Sequence, residues 1–427
     1  MMHAIRHVRR RGAAYLVALL AGSIVTVTGL AALSLANTRA KESILTDHEA
    51  EARLLSQSAL EHAMGAITAR FASGDDRHDL TSTFRKAVPL NDGRFAWRIG
   101  EVDGAAINNV DGPLLLQADG ERGSADRRLE ALLAPSGLPM TILDTAMYAG
   151  RHVSISSAAF LNADHVVGAK DNFSAAAGSI NADVEAGGSV SGTVYLGTTT
   201  SGADRHDLPN KPDVLNYYQG LGSTINFDAI GYDGGARTLQ NVLLSPTSNP
   251  FGTPNPLGVY VIDLRGERFV VRNIRIEGTL VLLNANAETM IGANVFMRPA
   301  YSWLPSLVVD GNVIFASNGS GPSEATIGVN LNPPGTPYNF QHDDELDDAY
   351  PGRIEGVVYA TNDIQFALLS QSFRGTVIAD HDIIIRTGVT VNIMYDPGVA
   401  QLPPFGFFDD QGGLALDPST VNWMPIP

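Results

Sequence analysis

Asp380-His381-Asp382 sets an imidazole between two carboxylates, a grouping able to hold a metal or pass a proton. A solvated turn between Ala379 and Ile383 is the plainer reading of the same three residues. A second candidate is the acidic run Asp343, Asp344, Glu345, Asp347 and Asp348, whose hard oxygens suit Ca²⁺. Its alternative is a charged surface loop. Calcium is the one cofactor the sequence nominates; otherwise none is expected. The other chemistry-bearing patterns are absent from the sequence: no GxSxG elbow, P-loop, HExxH, EF-hand loop or GxGxxG after a strand. There is no cysteine, which excludes disulfides, thiolate metal sites and a cysteine nucleophile. Trp97, Trp303 and Trp423 are too dispersed to form a sugar-stacking stripe.

Composition narrows the elements that could position such groups. The chain has 427 residues, enough for two or three domains and a large core. With 43 glycines, 23 prolines and 17% charged residues, it reads as a turn-rich, mainly β protein. The net charge is −16, yet the first 12 residues carry Arg6, Arg9, Arg10 and Arg11 without an acid. A globular part this acidic repels phosphate backbones, so no nucleic-acid partner is expected.

After this basic leader (1–12), residues 13–36 contain no charge. As a helix they would extend about 36 Å, more than the roughly 30 Å of a hydrocarbon core. The sequence therefore predicts a single-pass inner-membrane helix, N-terminus in the cytoplasm and C-terminal domain periplasmic or extracellular. A cleaved export signal is the alternative. Residues 37–72 continue as an amphipathic stalk: Ala52, Leu55, Ala59, Ala63, Ile67 and Phe71 recur at spacings of three and four. Asp75-Asp76 then ends the helix.

The leader ending in Arg11-Gly12, the apolar run from Ala13 and the polar "RAKESILTDHEAEARLLSQSALEHAM" resemble the N-terminus of PilX-type minor pilins and pseudopilins over residues 6–72. The resemblance implies cleavage between Gly12 and Ala13 by a prepilin peptidase, and other pilin-like subunits as partners. Val17 stands where most pilins have the glutamate of the fifth mature position. Ordinary incorporation into a filament does not follow from a chain lacking it.

Residues 73–147 read as a small α/β connector, with strands in "RFAWRIGEVDG" and a short helix between Ser124 and Pro135. Farther on, four segments share an apolar–x–Gly–x–apolar pattern. They are centred on Gly192 (Val190-Ser191-Gly192-Thr193-Val194), Gly278, Gly356 and Gly375. The last two stand 19 residues apart, each followed by a second strand at Asp363-Ile364 and Asp382-Ile383. A strand, a turn and a strand in one period fit a coil of a right-handed β-helix-like solenoid, the glycine and apolar residues facing in. A sandwich is the alternative. The expected order is a first solenoid segment (148–200), a loop and helix excursion (201–256), the main solenoid (257–398) and a tail (399–427). Pro212 starts the excursion's helix and Gly220 and Gly222 end it.

The run "YYQGLGSTI", "NPLGVYVID", "IRIEGTLVLLN", "IEGVVYATNDI" and "GTVIADHDIIIRTGVTVNIMYDP" is similar to a repeat domain of uncharacterised planctomycete-type envelope proteins, over about 205–398. It implies architecture and compartment, with no activity attached. The function expected from sequence is a non-enzymatic, membrane-anchored, pilin-like envelope protein. It would display a solenoid in a type IV pilus or type II secretion-like system. The alternative is a β-helix that binds or cleaves polysaccharide. Cleavage needs a shared column of charged residues, and the four segments instead offer Ser191, Glu277, Glu355 and Arg374.

Overall fold

The computed structural model describes residues 4–72, 86–90, 92–101, 113–192, 195–409, 413–416 and 420–424; for 4–27, 29, 70–72, 86–87, 101, 135–136, 413–415 and 424 it is the backbone that is described. One helix, α1 (Ala4–Ala72), runs 69 residues, about 100 Å. Its C-terminal part lies on an antiparallel sheet of β1 (Lys86–Leu90), β2 (Gly93–Glu101), β3 (Leu114–Arg122) and β4 (Ala125–Ser136). Ala52, Leu55, Ala59, Ala63 and Ile67 of the periodic stripe are buried there, against Phe95, Trp97, Ile99, Leu114, Leu116, Leu129 and Leu133. The side chain of Phe71 lies outside the described residues.

Two expectations are corrected here. The segment expected as a short helix, 124–135, is the strand β4. Leu129, Ala131 and Leu133 alternate inward against α1, and pairing of Ala125–Leu133 with β3 overrides the helical propensity of "LEALL". Among the described residues of 73–147 there is a sheet and the short 3-10 turn Thr141–Asp144, and no α-helix. Location is the second correction: among the described residues no helix is long and apolar enough to cross a membrane. Of the uncharged run, Thr28 and residues 30–36 have described side chains. The single-pass inner-membrane location is not supported.

Among the described residues, the strands from Met147 to Met394 form one 24-stranded sheet, wound mainly into three parallel ladders. In the first, Val358, Val377, Met147, Val167, Val184 and Thr199 stand in register, one per coil. In the second, Phe315, Phe366, Ile385, Ile155, Ala175 and Gly192 do so. In the third, Asn392, Asn162 and Asn181 do so. The inner side chains form one core from Ala146 to Ile393.

The coils do not follow chain order. The expected first segment, which begins at Met147–Ala149, stacks on the strand Ser370–Ala379 of the last main coil. The chain-first coils therefore extend the far end of the stack. The strand Ala236–Leu244 lies within the stretch expected as an excursion, yet pairs along its length with Phe269–Glu277 as a solenoid strand. The short helix α2 (Lys211–Leu221), with Gly222 after it, occupies the place proposed from Pro212. The strand Val259–Asp263 follows it.

Two local devices turn the corners. Asn241, Asn273 and Asn294 have φ of 55°, 48° and 57°, and they stand in one column. Asparagine tolerates this left-handed geometry, and the Asn294 amide donates to Asn273 Oδ1 at 2.8 Å. At another corner Gly375, with φ of 134°, sits directly on Gly356, with φ of 93°. A Cβ on Gly375 would lie 2.2 Å from the Gly356 carbonyl oxygen. Gly278 precedes the strand Thr279–Ala285 and stacks on Gly258, where a Cβ would meet the Gly258 oxygen at 2.1 Å. Gly192 ends a strand of the second ladder, opposite Ala175, in a different column. Thr193 and Val194 lie outside the described residues.

The first ladder is covered on its outer side too. Val214, Tyr217 and Tyr218 of α2, and Phe405, Phe407 and Phe408 of the tail, pack on Val261, Val281, Val308, Val357, Tyr359 and Ile378. Burial on both faces explains the unbroken apolar runs "VYVI", "LVLL" and "VVYA". Beyond this the tail returns to the small sheet, where Gly413–Leu416 and Asn422–Met424 both pair with β4.

Candidate functional site

The stem and its seat on the small sheet form the most distinctive surface. Small residues let α1 approach closely: a Cβ on Gly120 of β3 would lie 2.2 Å from the Ala52 carbonyl oxygen. The buried Ser56 hydroxyl donates to the Arg127 carbonyl at 2.9 Å, and Trp97 Nε1 donates to His62 Nδ1 at 3.1 Å. Arg127 pairs with Glu49 at 2.8 Å, and Arg122 pairs with Glu51. Toward its N-terminus the same helix leaves the sheet. Leu30, Leu33, Leu35, Ile44 and Leu45 there are 62%, 69%, 53%, 54% and 46% exposed. Leu30, Leu33, Ile44 and Leu45 fall within about 120° of the helix circumference and form a face suited to packing against another helix, with Leu35 to one side. Sequence reasoning assigned Leu30, Leu33 and Leu35 to a lipid-spanning run and gave Ile44 and Leu45 no role. Their signal was the persistence of large aliphatic residues beyond Ala36, among charges.

The residues Gly12 and Ala13 lie within α1 as backbone, and their side chains lie outside the described residues. The Asp380-His381-Asp382 side chains diverge. Tyr359 Oη donates to Asp380 Oδ2 at 2.7 Å, while Asp380 Oδ1 is buried with no hydrogen-bond partner among the described residues. Burial pushes the Asp380 carboxyl up to about 6, partly countered by the Tyr359 hydrogen bond and by Lys211 and His381. His381 is exposed. Asp382 Oδ1 accepts from the His152 backbone at 3.1 Å, and the Asp382 backbone donates to Asp363 Oδ1 at 3.1 Å. These aspartates order turns between coils.

The acidic loop serves as structure at both of its ends. Asp343 Oδ1 accepts from the Glu345 backbone at 3.1 Å, and Asp348 Oδ2 accepts from Asn332 Nδ2 at 2.7 Å. Asp344, Glu345 and Asp347 are exposed. Among the described residues no three or more His, Asp or Glu side chains stand close enough to hold a metal ion.

The sequence missed the clamp that holds this loop. Arg275 is fully buried, and its guanidinium donates to the carbonyls of Leu331, Thr336 (3.1 Å) and Pro337 (3.0 Å) and to Glu277 (2.6 Å). It lies near Tyr338 and Tyr350, at 5.4 and 5.5 Å from their ring centres. Glu324, also fully buried, accepts from Tyr350 Oη at 2.8 Å and from the Leu331 backbone at 2.6 Å. Period-2 alternation predicts Glu277 on the outer face, and the structure puts Arg275 on that face as well, since Ile274 and Ile276 point into the core. Nothing local in "RIE" says that a distant loop will cover that face.

No protein-family model matches this chain, and no curated protein matches it. Among solved structures, it is similar to the competence-associated pilin ComZ from Thermus thermophilus. The identity is 10% and the TM-score 0.31, covering 88% of this chain and 97% of that one. It is also similar to a DUF3494 domain of an ice-binding protein from Shewanella frigidimarina. There the identity is 12% and the TM-score 0.21, covering 61% of this chain and 98% of that one. At such scores neither likeness carries an argument, and the fold described above rests on strand register.

Proposed function

We propose that this chain is a non-enzymatic, pilus-related envelope protein. The helical stem makes assembly contacts with other pilin-like subunits and carries the solenoid as the displayed part. The observation that supports this reading most is α1 itself. The stretch from Ala52 to Ile67 is buried on its own sheet, and the segment from Leu30 to Leu45 presents Leu30, Leu33, Leu35, Ile44 and Leu45 with no covering element among the described residues. A helix so apolar on its bare segment is stabilised by packing against a like surface. On this reading processing occurs between Gly12 and Ala13, as the prepilin-like junction implies. The test is fractionation of the native host. Cross-linked envelope complexes should contain the chain together with other pilin-like subunits, and its N-terminal sequence should begin Ala-Ala-Tyr-Leu. Recovery of the chain solely from the cytosol, starting at Met1, would overturn both parts.

A further inference from the structure

The third ladder is open where the first is covered. Along this ladder lies a cavity of about 700 Å³, in the range of small-molecule sites. Its floor is a row of polar side chains, one per coil: Ser372, Asn392, Asn162 and Asn181, in register across four parallel strands. Neighbours in such a row repeat about every 4.8 Å. Asn162 Nδ2 donates to Asn392 Oδ1 at 2.9 Å. That bond holds both amides in the row, and leaves Asn392 Nδ2 and Asn162 Oδ1 uncommitted among the described residues. Arg353, Arg374, Asp164 and Met394 line its sides.

The charges of this cavity are already balanced. Arg353 is paired with Glu355, and Arg374 Nε meets Asp396 Oδ2 at 3.2 Å. Asp164 Oδ1 accepts from the Tyr395 backbone at 2.7 Å. An anion entering here would find no free cation and one extra carboxylate, in a chain of net charge −16. What remains is a periodic row of amide and hydroxyl groups, each both donor and acceptor. Beside them, Met394 is 56% exposed, and Phe160, which stands outside the cavity's lining but two residues before Asn162 on the same outward side of its strand, is 48% exposed. Amides that donate and accept together, next to an exposed ring and a thioether, match the hydroxyl edge and C–H face of a pyranose.

We propose that this groove binds an uncharged oligosaccharide laid across the coils, with Asn392, Asn162 and Asn181 meeting hydroxyls and Phe160 under a sugar ring. The site is independent of the stem, so it can fail or hold apart from the assembly role. The test is calorimetric titration of the full chain with neutral hexasaccharides of glucose, mannose and N-acetylglucosamine. Hexagalacturonate and an extended polar decapeptide serve as the competing arms. At least one neutral hexasaccharide should bind with a Kd below about 1 mM. Asn181→Asp and Phe160→Ala, both at exposed positions, should weaken it tenfold or more without changing the melting temperature. Asn162→Ala should do the same if it folds; if it does not, the two exposed variants carry the test. Failure of all three neutral ligands would overturn the proposal. So would preference for hexagalacturonate or the decapeptide, or unchanged affinity in Asn181→Asp.

Discussion

The small sheet and the solenoid solve the same problem, covering an apolar face, in opposite ways. In the small sheet, β1 to β4 pair antiparallel with their sequence neighbours, and α1 covers one side. Within β1 to β4 each pairing is local; the long-range contacts are α1 laid across and the two tail strands on β4. In the solenoid every main ladder is parallel, and a strand's partner lies a whole coil away or, at the seam, more than 200 residues away: Val377 pairs with Met147. A side-chain error in the sheet disturbs one pair of strands. An error on a solenoid corner is passed to the coils above and below, because the same position repeats in each.

The largest expected effect is therefore at the corner column. Gly375→Val places a β-branched residue at φ of 134°, with its Cβ 2.2 Å from a backbone oxygen of the next coil. A loss of about 3 kcal/mol or more follows from strain and overpacking together. Thermal unfolding followed by circular dichroism measures it. A loss under 1 kcal/mol would mean that the corner yields, and that coil stacking is softer than its register suggests.

Next comes the seam, where Asp380 lies beside Gly150 and under Tyr359. Its carboxyl is raised to about 6 from an ordinary 3.8, chiefly by burial. A raised carboxyl favours the folded state while it stays protonated. Its contribution is full below about pH 4 and is lost as pH rises through 6. The size is about 2 to 3 kcal/mol. Asp380→Asn should keep that stability at pH 7 to 8 and differ little from the parent at pH 4. Paired urea titrations at the two pH values check it. An equal shift at both would show that the carboxylate is solvated.

The small sheet should respond more weakly. Ser56→Ala removes the hydroxyl that joins α1 to the Arg127 carbonyl, at a cost of about 1 kcal/mol. Hydrogen exchange should report it in β3 and β4 and leave the solenoid amides unchanged. Smallest of all is Arg374→Ala, an exposed residue whose ion pair with Asp396 is worth under about 0.5 kcal/mol. Equal melting shifts for it and Gly375→Val would contradict the register that separates the two positions.

The comparison also explains what could be read from sequence. The stripe Ala52, Leu55, Ala59, Ala63 and Ile67 was legible, because a helix's period shows within a few turns. So was the stacking of Ile354-Glu355-Gly356 on Phe373-Arg374-Gly375, since these two coils are adjacent in sequence and equal in length. The coils of 147–201 were not resolved as coils, because their strands are three or four residues long and drift in spacing. Their place at the far end of the stack has no local signal at all: it depends on which coil end is free when the chain closes. β4 was misread because "LEALL" suits either period, and its partner strand decides. Of the candidate sites, the acidic loop showed itself as charge but not as geometry. The Asn392–Asn162–Asn181 row could be found only once the seam put residues 392 and 162 side by side.

The division of labour between stem and solenoid can be tested in one measurement. The chain has no cysteine, so single cysteines report without background. Leu33→Cys, on the bare helix, and Ser154→Cys, exposed on the solenoid, would each be oxidised in the full-length protein at equal concentration. The account predicts rapid intermolecular disulfides through position 33, giving dimers, with position 154 remaining monomeric. Dimers through 154 and none through 33 would contradict it, and would place the assembly surface on the solenoid instead.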